Sequence, residues 1–239
     1  MTAFALEVAV TTVEDACTAA AAGADRLELC SALEVGGVTP SAALFTAVRD
    51  TVRIPVVALV RPRTGDFVYS DAEFAIMKRD AAWFLNNGAA AVVVGAVTES
   101  GHVDPRCAEL AALKPAVFHR AFDCVERRAG SVSDGELEVL IRFGFHRVLT
   151  SGVASTALEG ADRIADLVRA AAGRIEILPG GGITPDNVEE LIRRTGCTQV
   201  HGSFRVPDRS TTLGMGDHRA TDAEQVRRVK AVQARIASG

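Results

Sequence analysis

Two glutamates set in apolar runs, two histidines at the ends of such runs and a glycine-rich bend are the residues here whose chemistry asks for an explanation. Glu7 lies in LEVAV and Glu28 in RLEL, and a carboxylate in such surroundings is costly to bury unless it is paired or working. His119 stands in FHRAFD with Arg120 and Asp123 just after it, neighbours suited to orient and tune an imidazole. His201 opens HGSFR. Glu7 or Glu28 as general acid or base, with His119 and Asp123 as proton-handling partners, is the catalytic reading of this set. Arg61 and Arg63 in RPRTGDFVYS, with Arg120, are of the type that grips carboxylate or phosphate. ILPGGGITPDN at 177–187 and HGS at 201–203 supply Gly181, Gly182, Gly202 and Ser203. Glycines at such a bend let backbone N–H groups approach an anion closely. Each feature also has a plain structural reading. The glutamates could pair with arginines inside the fold, the arginines could be surface charges, and the glycines could serve a tight bend alone. Cys30, two residues after Glu28, is either a small core residue or a ligand or reactive thiol.

The elements that must hold these residues are legible from periodicity. Eight short apolar runs, each too short for a helix, recur along the chain: 6–10, 26–29, 56–60, 91–94, 116–119, 147–149, 175–178 and 199–201. Helical patterns separate them. Thr11-x-x-Glu14, Ser70-x-x-Glu73 and Ser133-x-x-Glu136 read as capping boxes, Thr39-Pro40, Asp104-Pro105 and Thr184-Pro185 as helix starts, and Thr221 with Glu224 as the cap of the last helix. Gly23, Gly88, Gly144, Gly173 and Gly196 fall where helices should end in a left-handed residue. The helix-to-strand connections are thus short, whereas 61–69, 120–132 and 202–219 read as long strand-to-helix loops. Alternating strand and helix units, eight in number, predict a single α/β domain over 1–239 closed into a (β/α)8 TIM-type barrel, with the 203–219 loop before the last helix. An open doubly wound sheet is the alternative. Both folds place ligands at the C-terminal ends of the strands, where the polar residues above gather.

Composition narrows the partners. A formal charge of −4 over 239 residues offers no broad positive field for nucleic acid. No apolar stretch reaches the roughly 18 residues of a membrane span, and the apolar start MTAFALEVAV has no basic leader, so the expectation is a soluble, cytoplasmic protein. Five scattered cysteines without a C-x-x-C pair fit a reducing compartment rather than a disulfide framework.

The ordered set LEVAV, GADRLELCS, GGVTPS, RPRTGDFVYSD, FHRAFD, RVLTSG, LPGGGIT and HGSFR, running from Leu6 to Arg205, resembles the CutC family. The resemblance implies a TIM-type barrel, a cytoplasmic location, a homo-oligomer and an association with copper homeostasis and copper binding. Family members commonly carry cysteine where Ala9 stands, and often cysteine or serine where Gly202 stands. The metal candidates on this chain are therefore Cys30 with His119 and His201, set against the preference of Cu(I) for sulfur donors. Two functions stay open: copper handling, as the resemblance implies, or an enzyme of acid–base chemistry on a small phosphorylated or carboxylated metabolite.

Overall fold

The computed structural model describes residues 4–129, 134–207 and 219–238. Along the chain run β1 Ala5–Val10, α1 Val13–Ala21, β2 Arg26–Leu29, α2 Ala42–Thr51, β3 Val56–Leu59, α3 Asp71–Asn86, β4 Ala91–Val94, α4 Cys107–Ala112 and β5 Ala116–Phe118. Then come α5 Ala121–Ala129, α6 Asp134–Phe143, β6 Arg147–Thr150, α7 Ala161–Ala171, β7 Glu176–Pro179, α8 Val188–Thr195, β8 Gln199–Gly202, β9 Arg205–Pro207, β10 Arg219–Thr221 and α9 Ala223–Ser238. The eight-stranded sheet is parallel in the order β7-β6-β5-β4-β3-β2-β1-β8. A parallel bridge between Gly180 and His201 joins its two edges. The predicted TIM-type barrel is the observed fold.

Alternation along each strand divides the core in two. Leu6, Val8, Val10, Leu27 and Leu29 belong to the outer apolar shell with Ala16, Phe45 and Met77 of the surrounding helices. The opposite face points into the barrel, where Cys30, Val57, Leu59, Ala91, Val93 and Val117 form a separate cluster. Glu7 and Glu28 share that inner parity with Cys30, because residues two apart on a strand lie on one face. Register then sets their neighbours: Glu7 is level with Arg26 on β2 and with His201 on β8.

Several helix starts differ from the expected ones. Ser70 and Glu73 do form the capping box of α3, but α1 is capped by Thr12, whose side chain accepts from the Asp15 N–H, and Thr11 instead donates its hydroxyl to Asp15. Pro40 lies outside α2, which Ser41 caps. Pro105 and Pro185 lie in turns one and two residues before the caps of α4 and α8. Asp222 takes the cap role expected of Thr221, accepting from the N–H groups of Glu224 and Gln225. Ser133 lies outside the described residues, and Glu136 accepts from the Val103 N–H. The five glycines at helix ends all take positive φ, from +70° to +101°.

The mouth is also more structured than its loops suggest. Most of 120–132 is helix α5. The 203–219 segment begins with β9, which pairs antiparallel with β10, while 208–218 lie outside the described residues. The connection after β2 is as elaborate as any. Ser31 bridges Val38, and Arg61 donates to the carbonyls of Val35, Gly37 and Gly65, tying that loop to its own.

Candidate functional site

A cavity of about 390 Å³ opens at the C-terminal ends of the strands. Glu28, Arg61, His119, Arg120 and His201 line it, together with Gly181, Gly182, Gly202 and Ser203. Asp123 borders an adjoining hollow of about 680 Å³, which shares Arg61 and Arg120 with the first. Three of the sequence candidates line neither hollow. Glu7 lies under the first, Cys30 is fully buried in the barrel wall, and Arg63 is partly exposed, pairing with Asp66 and Glu73 and lying over the Tyr69 ring.

Below the cavity Glu7 is fully engaged. One oxygen accepts from Arg26 and the other lies 2.8 Å from Nδ1 of His201. Burial alone would raise its pKa, but the hydrogen bond to His201 and the charge of Arg26 outweigh burial and hold it down to about 2. Arg26 also donates to Gln199 at 3.1 Å, Gln199 to Glu176 at 3.0 Å, and Arg147 to Glu176 at 2.8 Å. This network, the arginine pairing that the sequence left open for Glu7 but with partners not named there, reaches from the N-terminal end of the barrel to His201. Its signal lay in parity: if Glu28 points inward, so does Arg26.

Glu28 is treated in the opposite way. It is 6% exposed, and its Oε2 has no hydrogen-bond partner among the described residues. Burial raises its pKa, His201 opposes, Glu7 adds to the rise, and the outcome is about 7. For His201, burial works against the imidazolium, but Glu28 and Glu7 prevail and its pKa is raised. A carboxyl group that titrates near neutrality thus stands beside an imidazole oriented by a second carboxylate.

His119, just past β5, is held by the backbone. Its Nδ1 accepts from the Ala121 N–H at 3.1 Å, so the ring proton sits on Nε2, which is buried with no partner among the described residues. Burial, reinforced by the charge of Arg61, lowers its pKa to about 3. It is a neutral imidazole at working pH, offering Nε2–H, rather than an imidazolium. Gly95 makes room for it, since a Cβ there would lie 2.6 Å from the ring. Phe67, another residue the sequence reading passed over, packs on His119 with ring centroids 4.8 Å apart and carries Arg61 at 4.9 Å.

The glycine turn after β7 faces Arg120. Gly181 and Gly182 take φ of +115° and +66°, and a Cβ on Gly182 would lie 2.8 Å from Thr156. Their carbonyls are tied back, Gly181 to the Ala157 N–H and Gly182 to the Asn187 amide, both at 2.8 Å. Among the described residues, the N–H groups of Gly182 and Ser203 donate to no backbone acceptor in the turn, whereas the Gly180–His201 bridge turns the Gly181 N–H toward the His201 carbonyl. Arg120 hangs over Gly181, its Nη1 3.5 Å from where a Cβ would be, and is positioned by Asp123 at 2.8 Å and Ser151 at 2.8 Å. Asp123 in turn accepts from Thr150 and from the Ser151 N–H. It is saturated by these donors, which suits it to position Arg120.

The metal candidates do not come together. Among the described residues, the His, Cys, Asp and Glu atoms near enough to share an ion belong to Glu7, Glu28 and His201, within 4.8 Å of one another, and Cys30 and His119 stand outside that group. The Cys30 sulfur contacts the Val10 carbonyl at 3.8 Å, and burial pushes its thiol pKa up, with Glu28 adding to the rise. A thiol held protonated and a cluster without sulfur do not fit Cu(I).

The CutC family model matches residues 4–206. The human copper homeostasis protein cutC homolog is 41% identical over 98% of this chain and 90% of its own length. The CutC family protein of Rhizobium meliloti is 40% identical over 97% and 96%. The crystal structure of the CutC copper homeostasis protein of Streptococcus agalactiae has a TM-score of 0.78 at 32% identity, covering 84% of this chain and 98% of that one. Phosphoribosyl anthranilate isomerase of Thermotoga maritima, with a TM-score of 0.59 and 15% identity over 97% and 98% of the two chains, shares the fold alone. No helix among the described residues is long and apolar enough to cross a membrane.

Proposed function

The chain belongs to the CutC family, and from that premise we propose that its barrel mouth is an acid–base active site for a small anionic metabolite. Glu28 carries the reading: a buried carboxylate with an unpartnered oxygen and a pKa near 7, opening on a cavity with arginine and free N–H groups at its other side. A proton-transfer group works best when its pKa lies near the operating pH. Arg120 with Gly181, Gly182, Gly202 and Ser203 holds the anion, and Glu7 orients His201 beside Glu28. The test is thermal unfolding with inorganic phosphate as the anion probe. At 100 times its dissociation constant a ligand adds about 2.7 kcal/mol, a rise of roughly 5–10 °C for a chain of this size. The rise should persist in Glu28→Gln and vanish in Gly182→Ala and Arg120→Met. No rise in the wild type up to molar-range salt controls sinks the reading.

The names of the relatives favour a second reading, in which the protein handles copper, with the Cys30 thiol as the donor to test. Cu(I) titration of the wild type and Cys30→Ser tests it. Submicromolar binding lost in the variant supports copper at that thiol, and binding unchanged by the substitution removes Cys30 from any copper role.

A further inference from the structure

We infer that the metabolite taken by this site is a phosphorylated hydroxycarbonyl compound, a short aldose or ketose phosphate, and that the reaction is a proton shift between its two adjacent oxygen-bearing carbons. The inference rests on the acid–base reading above and adds the identity of the substrate and of the bond that breaks. Three groups in one cavity carry it. The first is Glu28, whose Oε2 is buried and unpartnered. The second is the Nε2–H of His119, likewise buried and unpartnered, with its tautomer fixed because Nδ1 already accepts from Ala121. The third is the glycine turn, where the Gly182 N–H, like that of Ser203, has no backbone acceptor and Arg120 Nη1 lies 3.5 Å from the Gly181 Cβ position.

Each group selects a part of the substrate. The N–H groups of Gly182 and Ser203 with one arginine match the oxygens of a phosphate monoester, which needs more donors than a flat carboxylate. A neutral N–H donor, backed by the charge of Arg61, fits a carbonyl oxygen that becomes an oxyanion. An unpartnered carboxylate in the same cavity as such a donor fits the removal of a proton from carbon, since no donor among the described residues hydrogen-bonds its Oε2. In the forward step Glu28 takes the proton from the hydroxyl-bearing carbon, whose C–H electron pair becomes the new C=C bond. The carbonyl π pair then moves to oxygen, where His119 donates. His119 gives its Nε2 proton to that oxygen and takes the proton of the neighbouring hydroxyl, and Glu28 returns its proton to the former carbonyl carbon. The product is the isomeric hydroxycarbonyl, with no oxidant or reductant consumed. The cavity of about 390 Å³ suits a chain of a few carbons with its phosphate.

Proton exchange in D2O reads this step directly. The full-length protein is incubated with dihydroxyacetone phosphate, ribulose 5-phosphate and fructose 6-phosphate, and with their unphosphorylated counterparts, while NMR follows deuterium entering the carbon beside the carbonyl. The expected result is enzyme-dependent exchange in at least one phosphate ester and in none of the unphosphorylated sugars. Glu28→Gln should slow it at least 100-fold. His119→Phe should slow it by a similar factor, while His119→Gln, which keeps a donor, recovers part of the rate. No exchange in any ester, while inorganic phosphate still stabilises the wild type, overturns this inference and leaves the anion site standing. No exchange together with no stabilisation overturns both. Exchange undiminished in His119→Phe, with circular dichroism unchanged, also overturns the assignment.

Discussion

At the N-terminal end of the barrel interior, Arg26, Arg147, Glu176 and Gln199 satisfy one another and Glu7 above them. At the C-terminal end Glu28 and His119, no more exposed, leave Oε2 and Nε2 without protein partners. Leaving a buried polar group unpaired costs roughly 1–3 kcal/mol. Both ends are built from the same kinds of residue, so polarity does not distinguish them. The lower network uses its charges against each other and the upper set leaves polar atoms unpaired, which is why we propose the mouth, and not the whole polar interior, as the site.

The sharpest way to break this comparison is to unpair one charge at the lower end. Arg26→Met strips Glu7 of its guanidinium while leaving the carboxylate buried, and removal of one partner of a buried ion pair costs about 3–5 kcal/mol. Urea unfolding should show that loss as a lower midpoint at unchanged slope. Glu28→Gln, an isosteric change on the same strand face, should cost nothing at pH 8. If the two variants are equally destabilised, the distinction between saturated and available groups fails.

The comparison also fixes a pH signature. The Glu28 pKa is raised in the fold from the ordinary 4.5 to about 7, so between those values the folded state binds more protons than the unfolded chain. Its contribution to stability is fully present below pH 4.5 and is lost as pH rises through 7, on the order of 2–3 kcal/mol across the window. His201, raised by the two carboxylates, acts in the same direction from about pH 6.5 upward. Glu7, lowered to about 2, works oppositely: its contribution is present above pH 4.5 and is lost as pH falls toward 2. Glu28→Gln should therefore exceed the wild type in stability at pH 8, with the gap closing toward pH 4.5. A gap of the same size at both pH values contradicts the raised pKa.

These distinctions mark where sequence reading reaches its limit. The eight strands and the glycine helix ends are local signals, and they were legible residue by residue. So was the gathering of Glu28, His119, His201 and the glycine turn, because strand parity and strand ends are enough to place them. Which carboxylate is paired was not, since Glu7 and Glu28 have the same apolar flanks and only β1–β2 and β1–β8 register puts Arg26 and His201 beside the first. Cys30 has the right parity and still misses the cavity, packed in the barrel wall with Val57 and Leu59. Helix caps slipped for a related reason. Thr11 and Thr12 are both competent caps, and the choice depends on Asp15, which also accepts from the Thr221 N–H on β10.

Gly95→Ala probes the mouth with a smaller expected effect. Its added Cβ would stand 2.6 Å from the His119 ring, and the overpacking costs about 1–3 kcal/mol. The ring must turn to relieve it, so the hydrogen bond from the Ala121 N–H to Nδ1 should break. Nitrogen-15 NMR of the imidazole, which separates the two tautomers, should show the Nε2–H form of the wild type replaced by a mixture. An unchanged tautomer would mean that the backbone donor, rather than the space at Gly95, is what holds His119.

The smallest effect is expected at Cys30, and it separates the wall of the barrel from its mouth. The thiol belongs to one apolar cluster with Val57, Leu59 and Val93 and contacts the Val10 carbonyl at 3.8 Å. Cys30→Ala removes one buried sulfur and should cost about 1 kcal/mol by loss of packing, near the low end for core truncations. Because Cys30 does not line the cavity, the stabilisation by inorganic phosphate should be the same in the variant. A sulfur that worked at the mouth would behave differently: its removal would weaken phosphate protection or shift the pH at which Glu28 titrates by more than the loss of a weakly coupled, neutral neighbour permits. A change in either readout larger than about threefold would move Cys30 from the wall into the site.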